Sequence, residues 1–190
     1  MKMRATLLVG ALALAGCQSA AERQAAATGE VDVSNASMKD VSGLTKAARA
    51  KQAMQPGTWE SGTELVSADF GPGPEHDGQM EAAAKIPRHA VKCQKASDLA
   101  PVDITMLEKV GGTCTFPHFV QKGGKIDVEI QCTQVNGAKT TLLYKGTMGK
   151  DAYDVDVQQN SGVKGQAGYA AVRMRVYGKR LGLCTGKPAA

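Results

Sequence analysis

Five cysteines carry the most distinctive chemistry in this 190-residue chain: Cys17, Cys93, Cys114, Cys132 and Cys184. The last four are separated by 20, 17 and 51 residues, so they contain no Cys-x-x-Cys pair of the kind that structural zinc sites commonly use. An even number of cysteines in an oxidising compartment indicates a disulfide framework. The pattern predicts two disulfides and no metal site, provided that the chain leaves the cytoplasm.

The first cysteine ends an N-terminal segment that has the layout of a secretory signal. Lys2 and Arg4 form a basic head, an uncharged apolar run follows, and Leu14-Ala15-Gly16-Cys17 closes the segment. The apolar run is too short to be a permanent membrane-spanning helix. The tetrapeptide is similar to the lipobox of bacterial lipoproteins, in which the cysteine is diacylated and becomes the new N-terminus. We therefore predict a signal peptide over residues 1–16, lipidation of Cys17 and a periplasmic location.

The residue after the lipidated cysteine bears on which membrane holds the protein. Gln18 stands where an aspartate commonly retains such lipoproteins in the inner membrane, so the sequence favours the inner leaflet of the outer membrane. Removing residues 1–16 takes away two basic and no acidic side chains, which lowers the net charge from +5 to +3. This charge is ordinary for a soluble domain, so nucleic acid is not an expected partner.

Composition divides the mature chain into a tether and a domain. Residues 18–54 are rich in Ala, Gln, Ser and Lys and contain no aromatic side chain, which predicts a lipid anchor and flexible tether over 17–54. Apolar residues at helical spacing within it predict a short helix over 37–51, with a solvated linker as the alternative. The folded domain is then expected over residues 55–187.

Periodicity in this domain favours strands and turns. Residues 125–132 alternate strictly between apolar and polar side chains, as in an antiparallel strand with one buried face. Other predicted strands are 58–66, a short one leading into Cys93, 140–148, 153–158 and 169–177, and 97–109 has the spacing of a short helix. The expected fold class is mainly β: an antiparallel up-and-down meander curled into a sheet or partial barrel, with one short helix and two disulfides.

The first predicted hairpin indicates which cysteines pair. If residues 122–124 form a three-residue loop, Gln121 pairs with Lys125, and Cys114 then lies opposite Cys132 within disulfide reach. Pro117 would occupy a hydrogen-bonded position that it cannot serve. A bulge or an edge position must relieve it, and either could shift the register by one residue.

Two further predictions follow from this register. His118 falls on the buried face and is expected to be a core histidine that has hydrogen-bonding partners. Cys93 is left to pair with Cys184, which would join the beginning of the domain to its C-terminal end.

The order of short motifs resembles a known family. Pro56-Gly57-Thr58-Trp59-Glu60 opens the domain, the four cysteines follow in order, and residues 178–184 read Gly-Lys-Arg-Leu-Gly-Leu-Cys. This is similar to the domain-of-unknown-function 3617 family of small proteobacterial envelope proteins, many of them lipoproteins. The resemblance covers about residues 55–184 and implies the cysteine framework. It brings no established activity.

Four cations near the C-terminus are a candidate binding surface: Arg173, Arg175, Lys179 and Arg180. Arg173 and Arg175 alternate with apolar residues, so both project from the solvent face of the last strand. They could contact an anionic surface, such as a phosphorylated glycolipid or an acidic partner. The alternative is a charged edge strand that resists pairing with other sheets.

No Ser-His-Asp or Cys-His arrangement can be argued from the sequence, and we predict no catalytic residue, no cofactor and no enzyme activity. The expected function is a non-enzymatic binding or interaction module of the cell envelope. Its expected partners are the membrane, through the lipid on Cys17, and an unknown envelope protein or glycolipid. One alternative is a carrier of a small apolar ligand, which needs an unfilled cavity. Another is a membrane-presented inhibitor of a cell-wall hydrolase, which needs an exposed loop such as residues 71–78.

Overall fold

The computed structural model describes residues 19–52, 54–72, 89–95, 112–135 and 137–184. In chain order the elements are α1 (Ala20–Thr28), β1 (Val31–Ser37), α2 (Met38–Gln52), β2 (Gly57–Phe70), β3 (Ala90–Gln94), β4 (Thr113–Lys122), β5 (Lys125–Thr133), β6 (Lys139–Met148), β7 (Ala152–Ser161) and β8 (Ala170–Gly182). The eight strands form one open antiparallel sheet in the order β1-β4-β5-β6-β7-β8-β2-β3.

The predicted fold class is confirmed as mainly β and antiparallel with two disulfides, and the described residues contain two helices, α1 and α2. The predicted helix over 97–109 and most of the predicted loop over 71–78 lie outside the described residues. Among the helices that the structure describes, none is long and apolar enough to span a membrane.

The β4–β5 hairpin has the predicted cysteine pair but a different turn. Lys122 pairs with Lys125 around a two-residue turn, so the predicted three-residue loop is wrong. Gly123 and Gly124 both have positive φ values, 56° and 74°, which such a tight hairpin turn requires. A bulge between Thr115 and His118 then shifts the register by one residue and brings Cys114 opposite Cys132. The pairing is correct because the bulge compensates for the shorter turn.

The same bulge reverses the faces of β4 beyond it. Phe116 and Phe119 are fully buried, whereas His118 lies on the outer face opposite Glu129. The prediction that His118 is a core residue is therefore wrong. The bulge contains Pro117, which has no N–H to donate to a regular ladder, and this accounts for its position.

The prediction of a flexible tether is wrong for residues 19–52. Strand β1 pairs with β4 along its length, from Val31 opposite Gln121 to Ser37 opposite Thr115. The predicted helix is confirmed as α2, and it buries Val41, Leu44 and Ala48 in the same core as the strands. The composition predicted a tether because the segment has few large apolar residues. Small side chains such as Val41 and Ala48 nevertheless allow α2 to pack close to the strands and become buried there.

A separate buried contact joins β2 to β7. Trp59 on β2 is fully buried, its indole N–H donates to the carbonyl of Gln55 at 3.0 Å, and its ring lies 5.9 Å from that of Tyr153 on β7. Strand β8 lies between these two strands, and its Gly178 is opposite Ser61 on β2 and Tyr153 on β7. Because Gly178 has no side chain, the Tyr153 ring can cross β8 to reach Trp59.

Two disulfides crosslink this sheet, one between distant parts of the chain and one within a hairpin. Cys93 on the edge strand β3 is bonded to Cys184, just after β8, across 91 residues of sequence. Cys114 and Cys132 are bonded across the β4–β5 hairpin, with a separation of 18 residues. Both predicted pairings are confirmed.

Candidate functional site

The predicted cationic cluster lies on an interior strand. Strand β8 is between β7 and β2, so the alternative of a charged edge strand is wrong. Arg173 and Arg175 are exposed on the outer face of β8, as predicted. Whether these arginines can bind an external anion depends on the side chains next to them on β7 and β2.

Carboxylates on the flanking strands neutralise the two arginines. Arg175 contacts both carboxylate oxygens of Asp154, at 2.8 Å from Nε and 2.5 Å from Nη2, and its Nη1 lies 3.7 Å from Glu64. Arg173 is 3.2 Å from Asp156. The hydrogen bonds from Arg175 lower the pKa of Asp154, and the same contact raises the pKa of Arg175. These arginines are therefore committed to cross-strand pairs.

The third arginine of the cluster has an internal structural role. The Arg180 side chain is only 18% exposed, its Nε donates to the carbonyl of Pro56 at 3.0 Å, and Nη1 lies 3.6 Å from Asp151. Lys179 is exposed on the same strand. The four predicted cations thus do not form one patch of free positive charge.

Alternating charge continues across the outer face to β4. His118 Nε2 lies 2.9 Å from Asp127 and its Nδ1 lies 3.7 Å from Glu129, while Lys145 on β6 is 3.5 Å from Asp127. The hydrogen bond with His118 lowers the pKa of Asp127. Within the described ranges no group of three or more metal-ligating side chains could hold an ion.

A cleft that the sequence did not indicate lies at one end of the sheet. It has a volume of about 250 Å³ and is bounded by the C-terminal ends of both helices and by the β4–β5 and β6–β7 turns. We call it the lysine cleft because Lys51, Lys122 and Lys150 line it, together with a single carboxylate, Glu30. The three lysines come from three separate elements, so no local motif marks them.

Two of the charged groups in the lysine cleft have defined contacts. The Glu30 carboxylate accepts a hydrogen bond from the N–H of Gly123 at 3.2 Å, which holds the turn against the end of α1. Lys122 is 57% exposed and its Nζ lies 3.9 Å from Asp32, a distance that leaves the ammonium available to a stronger anionic partner. The residues that line the cleft therefore carry a net positive charge. They are held in place by two turns and by the ends of two helices.

The fold and site define an open antiparallel β domain with a helix pair at one edge, two disulfides and a cationic cleft. The family model described as protein of unknown function (DUF3617) matches residues 54–184, and the chain belongs to this family. The resemblance seen in the sequence motifs is confirmed. No curated protein and no solved structure matches the chain. The helix pair and β1 precede the matched residues, so the edge next to β4 is built by chain outside the family segment.

Proposed function

We propose that this protein is a lipid-anchored domain of the bacterial cell envelope that acts as a non-enzymatic binding module. The observation that carries the proposal is the use of the cysteines: four of the five are joined in two disulfides, and Cys17 remains. Disulfides of this kind persist in oxidising compartments such as the periplasm. The remaining cysteine closes the lipobox-like tetrapeptide, where a lipid is the expected modification.

The anchor is tested by expressing the full chain with its own signal in a Gram-negative host. We expect mature protein in the membrane fraction with the mass of a diacylglyceryl group on Cys17, and for Cys17→Ala an unprocessed precursor without the lipid mass. A Gln18→Asp variant should move the protein from outer-membrane to inner-membrane fractions. Wild-type protein without an added lipid mass would contradict the proposal.

The binding role is assigned to the lysine cleft, which suits an acidic group presented by an envelope protein or a glycolipid. Three lysines and one glutamate line this cleft, whereas the arginines of β8 are already paired with Asp154 and Asp156. Charge-assisted hydrogen bonds from lysine to phosphate or carboxylate are the interactions that such a cleft can offer. Its size suits a single charged sugar or side chain.

A sugar phosphate serves as the probe for this site. Titration of the 15N-labelled domain with glucose 1-phosphate should shift the amide signals of the β4–β5 and β6–β7 turns, and glucose should not. Lys122→Gln combined with Lys150→Gln should weaken binding about tenfold or more, since each charged contact contributes substantially. Lys92→Gln, on the exposed edge strand β3 away from the cleft, is the matched control. Equal weakening by the control, or equal shifts with glucose, would count against the lysine cleft.

A further inference from the structure

We propose that the folded domain lies directly on the bilayer surface, with one end of its sheet against the lipid headgroups. We call this the proximal end; it carries the β5–β6 turn, the β7–β8 loop and the first turn of α2. The inference rests on the proposed lipidation of Cys17. It goes further by assigning a lipid-facing surface and an orientation.

The chain is ordered almost as far as the lipid site. Ser19 caps α1: its hydroxyl accepts from the N–H of Glu22 at 3.1 Å, and the Glu22 carboxylate accepts from the N–H of Ser19 at 2.7 Å. Cys17 is two residues earlier in the sequence. Two residues span at most about 7 Å even when fully extended, so the anchor has almost no reach.

The direction of α1 selects the end of the sheet that faces the lipid. Helices α1 and α2 run in parallel, with Glu22 beside Gly43 and Gly29 against Lys51. Because α2 begins where β1 ends, the N-terminus of α1 points towards that end of β1. The sheet register places the β5–β6 turn and the β7–β8 loop at the same end.

The proximal end presents groups that suit a membrane interface. Val135 in the β5–β6 turn is 93% exposed and Val163 in the β7–β8 loop is 60% exposed. Two exposed lysines lie at the same end of the sheet, Lys39 in the first turn of α2 and Lys139 at the start of β6, whereas Lys164 in the β7–β8 loop is paired with Asp69 at 3.2 Å. Apolar side chains can enter the interface while lysines contact lipid phosphates, and such contacts supplement a lipid anchor.

The orientation has a consequence for the lysine cleft. The cleft is formed by the turns at the opposite, distal end of the sheet. The intervening strands β4 and β6 are 10 residues long, which corresponds to about 33 Å. The cleft therefore opens away from the bilayer, and its acidic partner must arrive from the periplasmic side. This favours an envelope protein over a glycolipid of the same leaflet.

Tryptophan quenching in vesicles tests the orientation. Lipidated full-length Val135→Trp and Val163→Trp proteins are placed in vesicles of phosphatidylethanolamine and phosphatidylglycerol with brominated acyl chains. Leu181→Trp is the matched control, because Leu181 is 53% exposed near the distal end. Trp59 is fully buried and adds the same background to every variant. We expect quenching at least about twofold stronger at both valine positions than at Leu181.

A linker variant tests whether the short chain between the lipid and α1 holds the domain against the bilayer, while the lipid itself is kept. Twelve Gly/Ser residues inserted between Gln18 and Ser19 add a mean reach of roughly 20 Å. Quenching at Val135 should then fall to the level of Leu181→Trp. Equal quenching at all three positions, or quenching that the linker leaves unchanged, would overturn the orientation. A missing lipid mass would instead refute the proposed anchor, so the two failures are distinguishable.

Discussion

At the residue scale, Gly178 shows how a missing side chain organises the core. Its neighbours across the sheet are Ser61 and Tyr153, and the tyrosine ring occupies the space above its Cα on the way to Trp59. Burial raises the pKa of Tyr153, while a hydrogen bond with Ser61 opposes that rise. One glycine therefore couples three neighbouring strands through an aromatic pair.

Gly178→Ala is expected to destabilise the domain by about 1–3 kcal/mol, as overpacking of a buried site typically does. The new Cβ would lie 2.6 Å from Cζ of Tyr153, which forces the ring away from Trp59. Urea unfolding followed by Trp59 fluorescence measures the loss. The matched control is Gly149→Ala, whose Cβ would meet its nearest neighbour, the carbonyl oxygen of Ala152, at 3.5 Å. An equal loss in both variants would show that the Tyr153 contact is not the cause.

At the element scale, the N-terminal segment pairs with β4 and moves the edge of the sheet from β4 to β1. Strand β1 pairs with the edge of β4, and α2 packs on β1 and β4 and buries Val41, Leu44 and Ala48 in the core that it shares with the strands. An uncovered edge strand is a template for pairing with other chains. The family segment begins at residue 54, so the partner strand of β4 and the helix packed on the core come from residues that precede it.

Leu44→Ala tests whether this segment belongs to the cooperative fold. Leu44 is only 6% exposed, and truncation of a buried leucine costs about 2–5 kcal/mol. A flexible tether would tolerate the change with no measurable loss. Lys46→Ala on the exposed side of the same helix should stay within about 0.5 kcal/mol of the wild type. Thermal and urea unfolding of both variants give the comparison.

At the scale of the whole molecule, the two disulfides close loops of very different length. The Cys93–Cys184 bond encloses most of the domain and holds the edge strand β3 to the end of β8, whereas Cys114–Cys132 closes a single hairpin. Loop closure restricts the unfolded chain more strongly as the loop grows, although only logarithmically.

Removing each bond as a pair of alanines should reveal this difference. Cys93→Ala/Cys184→Ala is expected to lower the free energy of unfolding by about 4–5 kcal/mol and Cys114→Ala/Cys132→Ala by about 3 kcal/mol. Equilibrium denaturation of the two double variants, compared with the intact protein, measures both losses. A larger loss from the hairpin bond would mean that local packing around Cys114 outweighs the constraint on the unfolded chain.

Local patterns predicted much of the sheet but not the relations between distant residues. Strict alternation over 125–132 identified β5, and Pro117 indicated either a bulge or an edge position, of which the structure has the bulge. The predicted face of His118 was wrong because the bulge changes which side chains of β4 point inward. The lysine cleft was missed because Lys51, Lys122 and Lys150 are close only after the helices pack on the sheet.

The sequence by itself determined the cysteine framework, the antiparallel strands and the family, because these depend on residue types and on short-range alternation. The candidate lipid site at Cys17 and the location in the envelope stay predictions from the same residues. Only the tertiary structure decided that residues 19–52 are folded, that the arginines of β8 are neutralised and that lysines converge at the distal end. The physical reason is that pairing, burial and charge compensation depend on neighbours across the sheet, which strand order and register supply.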